Sequence, residues 1–243
     1  MELPKVKIPA TTEDPNQLII FSKFKVGKTT ALAELPNNLI VDTEKGSKYV
    51  EALKVQVNSI KEINELCKAI KEAGDPYDFI TIDTVTVLED MCKPLALKLY
   101  QATAAGADYE GDILAAPNGS GYGHLRTAIE MVIDKFRDRT RNLILVCHSK
   151  DAAIDKNELN VKQIDLLGKT GRILSSKADA IGYLYRDEDS NTILSFNTNN
   201  KFVECGARPE HLKNADVVLG EMQEDGTIEY HWERVYPSLA KKK

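Results

Sequence analysis

The 243-residue chain is short of the features that would anchor, staple or metallate it. Its four cysteines, Cys67, Cys92, Cys147 and Cys205, are scattered without a Cys-x-x-Cys pair. That spacing excludes a disulfide framework and a zinc site and suits free thiols in a reducing cytoplasm. No apolar run approaches the length of a membrane span, and Met1-Glu2-Leu3-Pro4-Lys5 has no signal-peptide core, so no membrane partner and no export are expected. The histidines His124, His148, His211 and His231 show no metal-ligand spacing. There is no excess of basic residues: the net charge is −5, which argues against a globally basic nucleic-acid binder and leaves room only for a local basic groove. Repeats and an evident linker are missing too. What remains is ordinary globular composition, 42% hydrophobic and 28% charged, in a chain long enough to bury one large core.

The most informative stretch is Leu18-Ile19-Ile20-Phe21-Ser22-Lys23-Phe24-Lys25-Val26-Gly27-Lys28-Thr29-Thr30. An apolar run enters a short polar loop that closes on Gly-Lys-Thr and opens into a helical pattern. Backbone N–H groups of such a loop, at a helix start, form an anion-binding concavity. Residues 22–30 are therefore read as the nucleotide-binding loop. Lys28 supplies charge to the β/γ-phosphates, Thr29 a hydroxyl ligand to magnesium, and Thr30 a helix start. Two facts count against the match. Ser22 stands where the usual pattern has its first glycine, and Gly-Lys-Ser/Thr alone arises in roughly one chain in ten of this length at average composition. The surrounding acids decide the matter.

Leu39-Ile40-Val41-Asp42 and Phe79-Ile80-Thr81-Ile82-Asp83 are short apolar runs of buried-strand type. Asp83, ending the second, has the form of the acid that holds magnesium through water; a strand-end or helix-capping aspartate is the alternative. Glu44, just past the first run, is placed to orient and deprotonate an attacking water, with Asp42 in support. A solvated loop glutamate is the competing reading. Leu143-Ile144-Leu145-Val146-Cys147-His148 is the best strand in the chain; His148 at its end either senses the γ-phosphate or is a structural histidine. Between these lie helical patterns at 59–73 (capped by Ser59, closed by Gly74), 85–100 despite Pro94, and 124–139. Strands alternating with helices predict a mainly parallel sheet flanked by helices, an α/β fold.

The later chain reads differently. Residues 151–163 are polar and expected to be mobile, and 168–178 to be a short helix. Residues 180–185 and 192–196 read as a hairpin, and Asp225-Gly226 as a turn between further short strands. The organisation expected is an arm over 1–17, a core over 18–220, and a β-rich C-terminal extension with a basic tail over 221–243. Lys241-Lys242-Lys243 is a solvated end or a contact to nucleic acid or lipid. Lys169 and Arg172, with Arg208 as a weaker candidate, are either a basic finger for a neighbouring subunit's nucleotide or a solvated helix-start pair. The long polar segment from Gln101 to Gly123, with Tyr109, Tyr122 and Arg126 at its end, suits a stacking contact to single strands, a subunit contact or a mobile cover.

Taken together, Lys25-Val26-Gly27-Lys28-Thr29-Thr30, Val41-Asp42-Thr43-Glu44, the strand ending in Asp83, Val146-Cys147-His148 and the Gly168-Lys169-Thr170-Gly171-Arg172 helix start resemble the RecA-like P-loop ATPases, specifically the small phage-encoded RecA-core proteins of the Sak type. The resemblance spans about residues 18–220. It implies a RecA-like fold, ATP with Mg2+, Glu44 as the catalytic glutamate, and self-assembly into a ring or filament with nucleotide at subunit interfaces. It also implies single-stranded DNA as partner in annealing or recombination, a single-strand-binding protein as a further partner, and the cytoplasm of a bacterial host. The missing Asn-Lys-x-Asp guanine motif leans toward ATP. Two other classes stay open. One is a dimeric switch ATPase, since Lys23 occupies the place of that class's signature lysine, although Phe24-Lys25 replace its glycines. The other is a nucleotide-binding scaffold with little turnover, since Ser22 could slow hydrolysis.

Overall fold

A computed structural model describes Leu3, residues 5–153 and residues 160–242. In chain order its elements are β1 (Gln17–Ser22), α1 (Lys28–Ala33), β2 (Asn38–Asp42), β3 (Lys54–Gln56), α2 (Ile60–Glu72), β4 (Phe79–Asp83), α3 (Val85–Gln101), α4 (Ser120–Arg137), β5 (Asn142–Ala153), β6 (Asn160–Ile164), α5 (Thr170–Lys177), β7 (Ala180–Arg186), β8 (Thr192–Ser195), β9 (Gly206–Ala207), β10 (Asp216–Met222) and β11 (Ile228–Tyr230). One sheet runs in the order β11-β10-β8-β7-β1-β5-β4-β2-β3, with β6 on β5 and β9 on β7. From β3 to β7 the pairs are parallel; β8, β10 and β11 continue the sheet antiparallel.

Alternation along the central strands builds two cores. Ile19, Phe21, Val41, Ile80, Ile82, Leu145 and Cys147 face α2, α3 and α4. Leu18, Ile20, Ile40, Phe79, Ile144 and Val146 face α1 and the C-terminal Trp232, Val235 and Tyr236. Strands buried on both faces have no polar side to show, which is why they read as continuous apolar runs. The helix signals hold locally. The Ser59 hydroxyl accepts from the Glu62 N–H at 3.2 Å, and Gly74 takes φ 80° just past the end of α2.

Three stretches of the chain take a form that composition alone did not give. Of residues 151–163, the stretch 154–159 lies outside the described residues; on either side, β5 continues through Ala153 and pairs antiparallel with β6, so the polar residues there lie in paired strands. The segment 101–123 is not one long loop. Tyr109 donates to the Asp112 carbonyl at 2.7 Å, Gln101 donates to the Tyr109 carbonyl at 2.8 Å, and α4 begins already at Ser120. Gly121 permits this, because a Cβ there would lie 1.6 Å from the Ile113 oxygen. Finally, the 220/221 boundary falls inside β10, and Trp232 donates its indole N–H to the Ala31 carbonyl at 2.7 Å, so the C-terminal residues close the core over α1. Met1, Glu2 and Pro4 of the arm and Lys243 of the tail lie outside the described residues. No helix among the described residues is long and apolar enough to cross a membrane.

Candidate nucleotide site

Strand register gathers the site. Ser22 on β1 pairs with His148 on β5, Val146 of β5 with Asp83 on β4, and Asp83 with Asp42 on β2. β1, β4 and β2 thus end together beside His148, where β5 runs on past them, and the carboxyl ends of parallel strands are where open α/β sheets bind ligands.

The loop from Ser22 to Gly27 crosses this edge. Its left-handed positions are Lys25 (φ 62°) and Gly27 (φ 101°), while Ser22 is not among the positive-φ residues. A serine at the loop's first position therefore needs no glycine-like conformation. Its buried hydroxyl accepts from Lys28 Nζ at 2.9 Å, and the Lys23 carbonyl accepts from the same nitrogen at 3.2 Å. The lysine ammonium thus lies within the turn of its own loop. Burial pulls its ammonium below the ordinary value, against the raising pull of Asp83 and then Glu44. Lys23, Phe24, Lys25 and Thr30 are exposed, and Val26 and Gly27 are half-buried.

Thr29 donates to Asp83 Oδ2 at 2.6 Å, bringing together the hydroxyl and carboxylate expected for magnesium. Burial pushes the Asp83 carboxyl up, Glu44 and Asp42 add to that, and the Thr29 bond and Lys28 oppose it. A buried carboxylate held off its ordinary range is what a cation would compensate. No group of three or more His, Cys, Asp or Glu among the described residues could cage a metal. Thr29 and Asp83 are oxygen donors of the kind magnesium takes, one or two from protein alongside substrate phosphates and water.

Glu44 and His148 are brought together, which spacing could not show. His148 Nε2 lies 2.5 Å from Glu44 Oε1, and the Thr84 hydroxyl donates to the same oxygen at 2.7 Å. Both contacts end on Oε1. Thr84 is a site residue that sequence reading missed. It also caps α3, accepting from the Val87 N–H at 3.3 Å, so the threonine before a helical run was the signal available. Thr86 was missed likewise: it accepts from the His148 N–H at 3.1 Å and donates to the Asp165 carbonyl at 3.2 Å. Phe24, 68% exposed, lays its ring 4.2 Å from the His148 ring, so the tip of the loop covers the histidine.

Asp42 positions this acid loop. Its carboxylate accepts from Glu44 N–H (2.9 Å), Gly46 N–H (3.3 Å), Ser47 N–H (3.0 Å) and Ser47 Oγ (2.6 Å). Burial works against the charge, but the Ser47 and Glu44 hydrogen bonds outweigh it and hold the carboxyl below its ordinary 3.8. Asp42→Asn is expected to cost about 2 kcal/mol at pH 7, since bonds to a buried charge are the strong ones. A depressed carboxyl contributes fully above its unfolded value and loses that contribution as pH falls through its folded value. The gap between wild type and variant in denaturant unfolding should therefore be complete above pH 3.8 and close below it.

Lys169 and Arg172 lie elsewhere. They line a cleft of about 580 Å3 with Lys150, Gln163, Ser175 and Glu204, beside the paired strands β5 and β6. Buried Glu89 accepts from the Leu167 N–H at 3.0 and 3.1 Å, which pins the turn before α5. Tyr122, 43% exposed, lies against Gly168 at the same cleft, whereas the Tyr109 ring packs on Tyr100 at 5.3 Å. Arg208 pairs with Asp179 at 3.4 Å, and both line a separate pocket.

A phosphate loop, acids at strand ends and a mainly parallel sheet sandwiched by helices define the α/β fold of a P-loop nucleotide-binding domain. A family model described as an AAA domain matches residues 14–208, and the chain belongs to that family. Among solved structures it is similar to the RadB recombinase at 13% identity and a TM-score of 0.47, over 90% of this chain and 92% of that one. No curated protein matches the chain.

Proposed function

We propose that this chain is a magnesium-dependent ATPase that assembles with itself and acts on single-stranded DNA, in the manner of the phage Sak-type annealing ATPases it resembles. The observation that carries the ATPase reading is the convergence of Lys28, Thr29, Asp83, Glu44 and His148 on one sheet edge. On ATP binding, Lys28 exchanges Ser22 and the Lys23 carbonyl for β/γ-phosphate oxygens, and the loop N–H groups from Ser22 to Thr30 cradle the phosphates. Thr29 and Asp83 would hold magnesium, which would neutralise charge on the β- and γ-phosphates. Glu44 Oε2 takes a proton from the water that attacks the γ-phosphorus, while His148 and Thr84 fix Oε1. The bond to the β-phosphate oxygen breaks, giving ADP and phosphate.

Support for the DNA partner is chemical. Lys150, Lys169 and Arg172 line one cleft and offer cations to phosphate, and the exposed Tyr122 ring, against Gly168 of its wall, offers a surface for base stacking nearby. Lys169 and Arg172 are also the cations this chain offers to a neighbouring subunit's nucleotide. The test is ATP hydrolysis with and without single-stranded DNA at two salt concentrations. Turnover should rise several-fold with DNA, and the rise should shrink at high salt, because phosphate contacts release counterions. Turnover indifferent to DNA would leave the ATPase standing and remove the DNA role.

A further inference from the structure

The sheet edge has a second side. On one side of β1, β5 and β4 carry His148 and Asp83; on the other, β7 ends at Arg186. The Arg186 side chain reaches back over the loop. Nε donates to the Val26 carbonyl at 3.4 Å, Nη1 donates to the Ser190 carbonyl at 2.9 Å, and Nη2 would lie 3.2 Å from a Cβ placed on Gly27. Both partners are neutral carbonyls. The nearby Asp187 carboxylate is committed to Asn191, accepting from its N–H at 2.8 Å and its side-chain amide at 3.1 Å. Among the described residues no carboxylate forms an ion pair with Arg186. A guanidinium satisfied only by carbonyls keeps its full charge, and it lies beside the glycine over which the phosphates must pass.

We infer that Arg186 is a second cation of the nucleotide site, acting in the same subunit on the α-phosphate end of the bound nucleotide. The acids that hold the metal and the water fix where the γ-phosphate goes, namely toward β4 and β5. Arg186, across β1 from them, faces the opposite end of the phosphate chain. The long Val26 contact is released when a phosphate oxygen offers the guanidinium a charged partner. This inference rests on the nucleotide-binding reading and refines it.

The test is calorimetric titration of ADP and of a non-hydrolysable ATP analogue, each with magnesium, into wild type, Arg186→Ala, Arg186→Lys and Lys28→Ala. Arg186→Ala should weaken both nucleotides by the same factor, about 10- to 100-fold, as expected for a lost charge-assisted contact. Arg186→Lys should recover part of the loss, because it restores charge without the planar fork. Unchanged affinity, or a loss confined to the ATP analogue, overturns the assignment. Equal losses in the Ala and Lys variants together with a lowered melting temperature of the free protein would also overturn it, showing a loop latch instead. Lys28→Ala separates the failures. If it binds like wild type, the nucleotide reading itself is wrong; if it alone loses binding, only the role of Arg186 is.

Discussion

Lys28→Ala is expected to lower ATP affinity by about 100-fold or more while leaving the fold intact, since it removes a charge-assisted phosphate contact and nothing the core depends on. The free protein should be no less stable, and Lys28→Met should be more stable by about 1 kcal/mol, because a buried ammonium is costly even when hydrogen-bonded. Lys28 is only 8% exposed, and burial lowers its proton affinity despite Asp83 and Glu44 nearby. The sign follows from that shift. Between the folded value and the ordinary 10.5, the unfolded chain binds the extra proton, so wild type gains stability on Lys28→Met as pH rises through that window. Calorimetric binding and thermal melting on the same samples check both halves. Retained ATP affinity in Lys28→Ala would sink the assignment of the loop.

Glu44→Gln separates binding from chemistry. The amide preserves the size of the side chain and can still meet Thr84 and His148, but it cannot take a proton from water. Turnover should fall about 100- to 10,000-fold, the range of a lost general base, with ATP affinity held within a few-fold. The geometry sharpens the expectation: both hydrogen bonds fall on Oε1, so the loss reports on Oε2. A single-turnover measurement with labelled ATP reads the chemical step directly. If the variant hydrolyses at the wild-type rate, the base is another group; if neither protein turns over, the scaffold reading replaces the enzyme.

Much of this was legible in the chain. Lys28 and Thr29 follow from a local motif, and Asp83 from its place at the end of an apolar run, because strand and loop chemistry are written within a few residues of one another. The parallel sheet was legible too, since strands covered on both faces leave an unbroken apolar signature. The partnership of Glu44 with His148 was not, for the two are joined by the order β2-β4-β5, which pairing partners far apart in sequence decide. Thr84 and Thr86 were overlooked because a hydroxyl near a helix start reads as a cap, and in Thr84 one hydroxyl does both jobs. The packing of 101–123 was hidden by its polarity. Its small residues were a sign of close approach, as Gly121 against Ile113 shows, where composition suggested looseness.

The sequence by itself thus determined the local pieces: an apolar strand running into a Gly-Lys-Thr loop, and carboxylates closing apolar runs. The tertiary structure decided which side chains meet. It bound His148 to Glu44, set Arg186 across β1 from the acids, and folded Trp232 and Tyr236 into the core over α1. The physical reason is range: a motif is held by bonds within one turn or loop, whereas a site across five strands depends on a sheet order that no local segment contains.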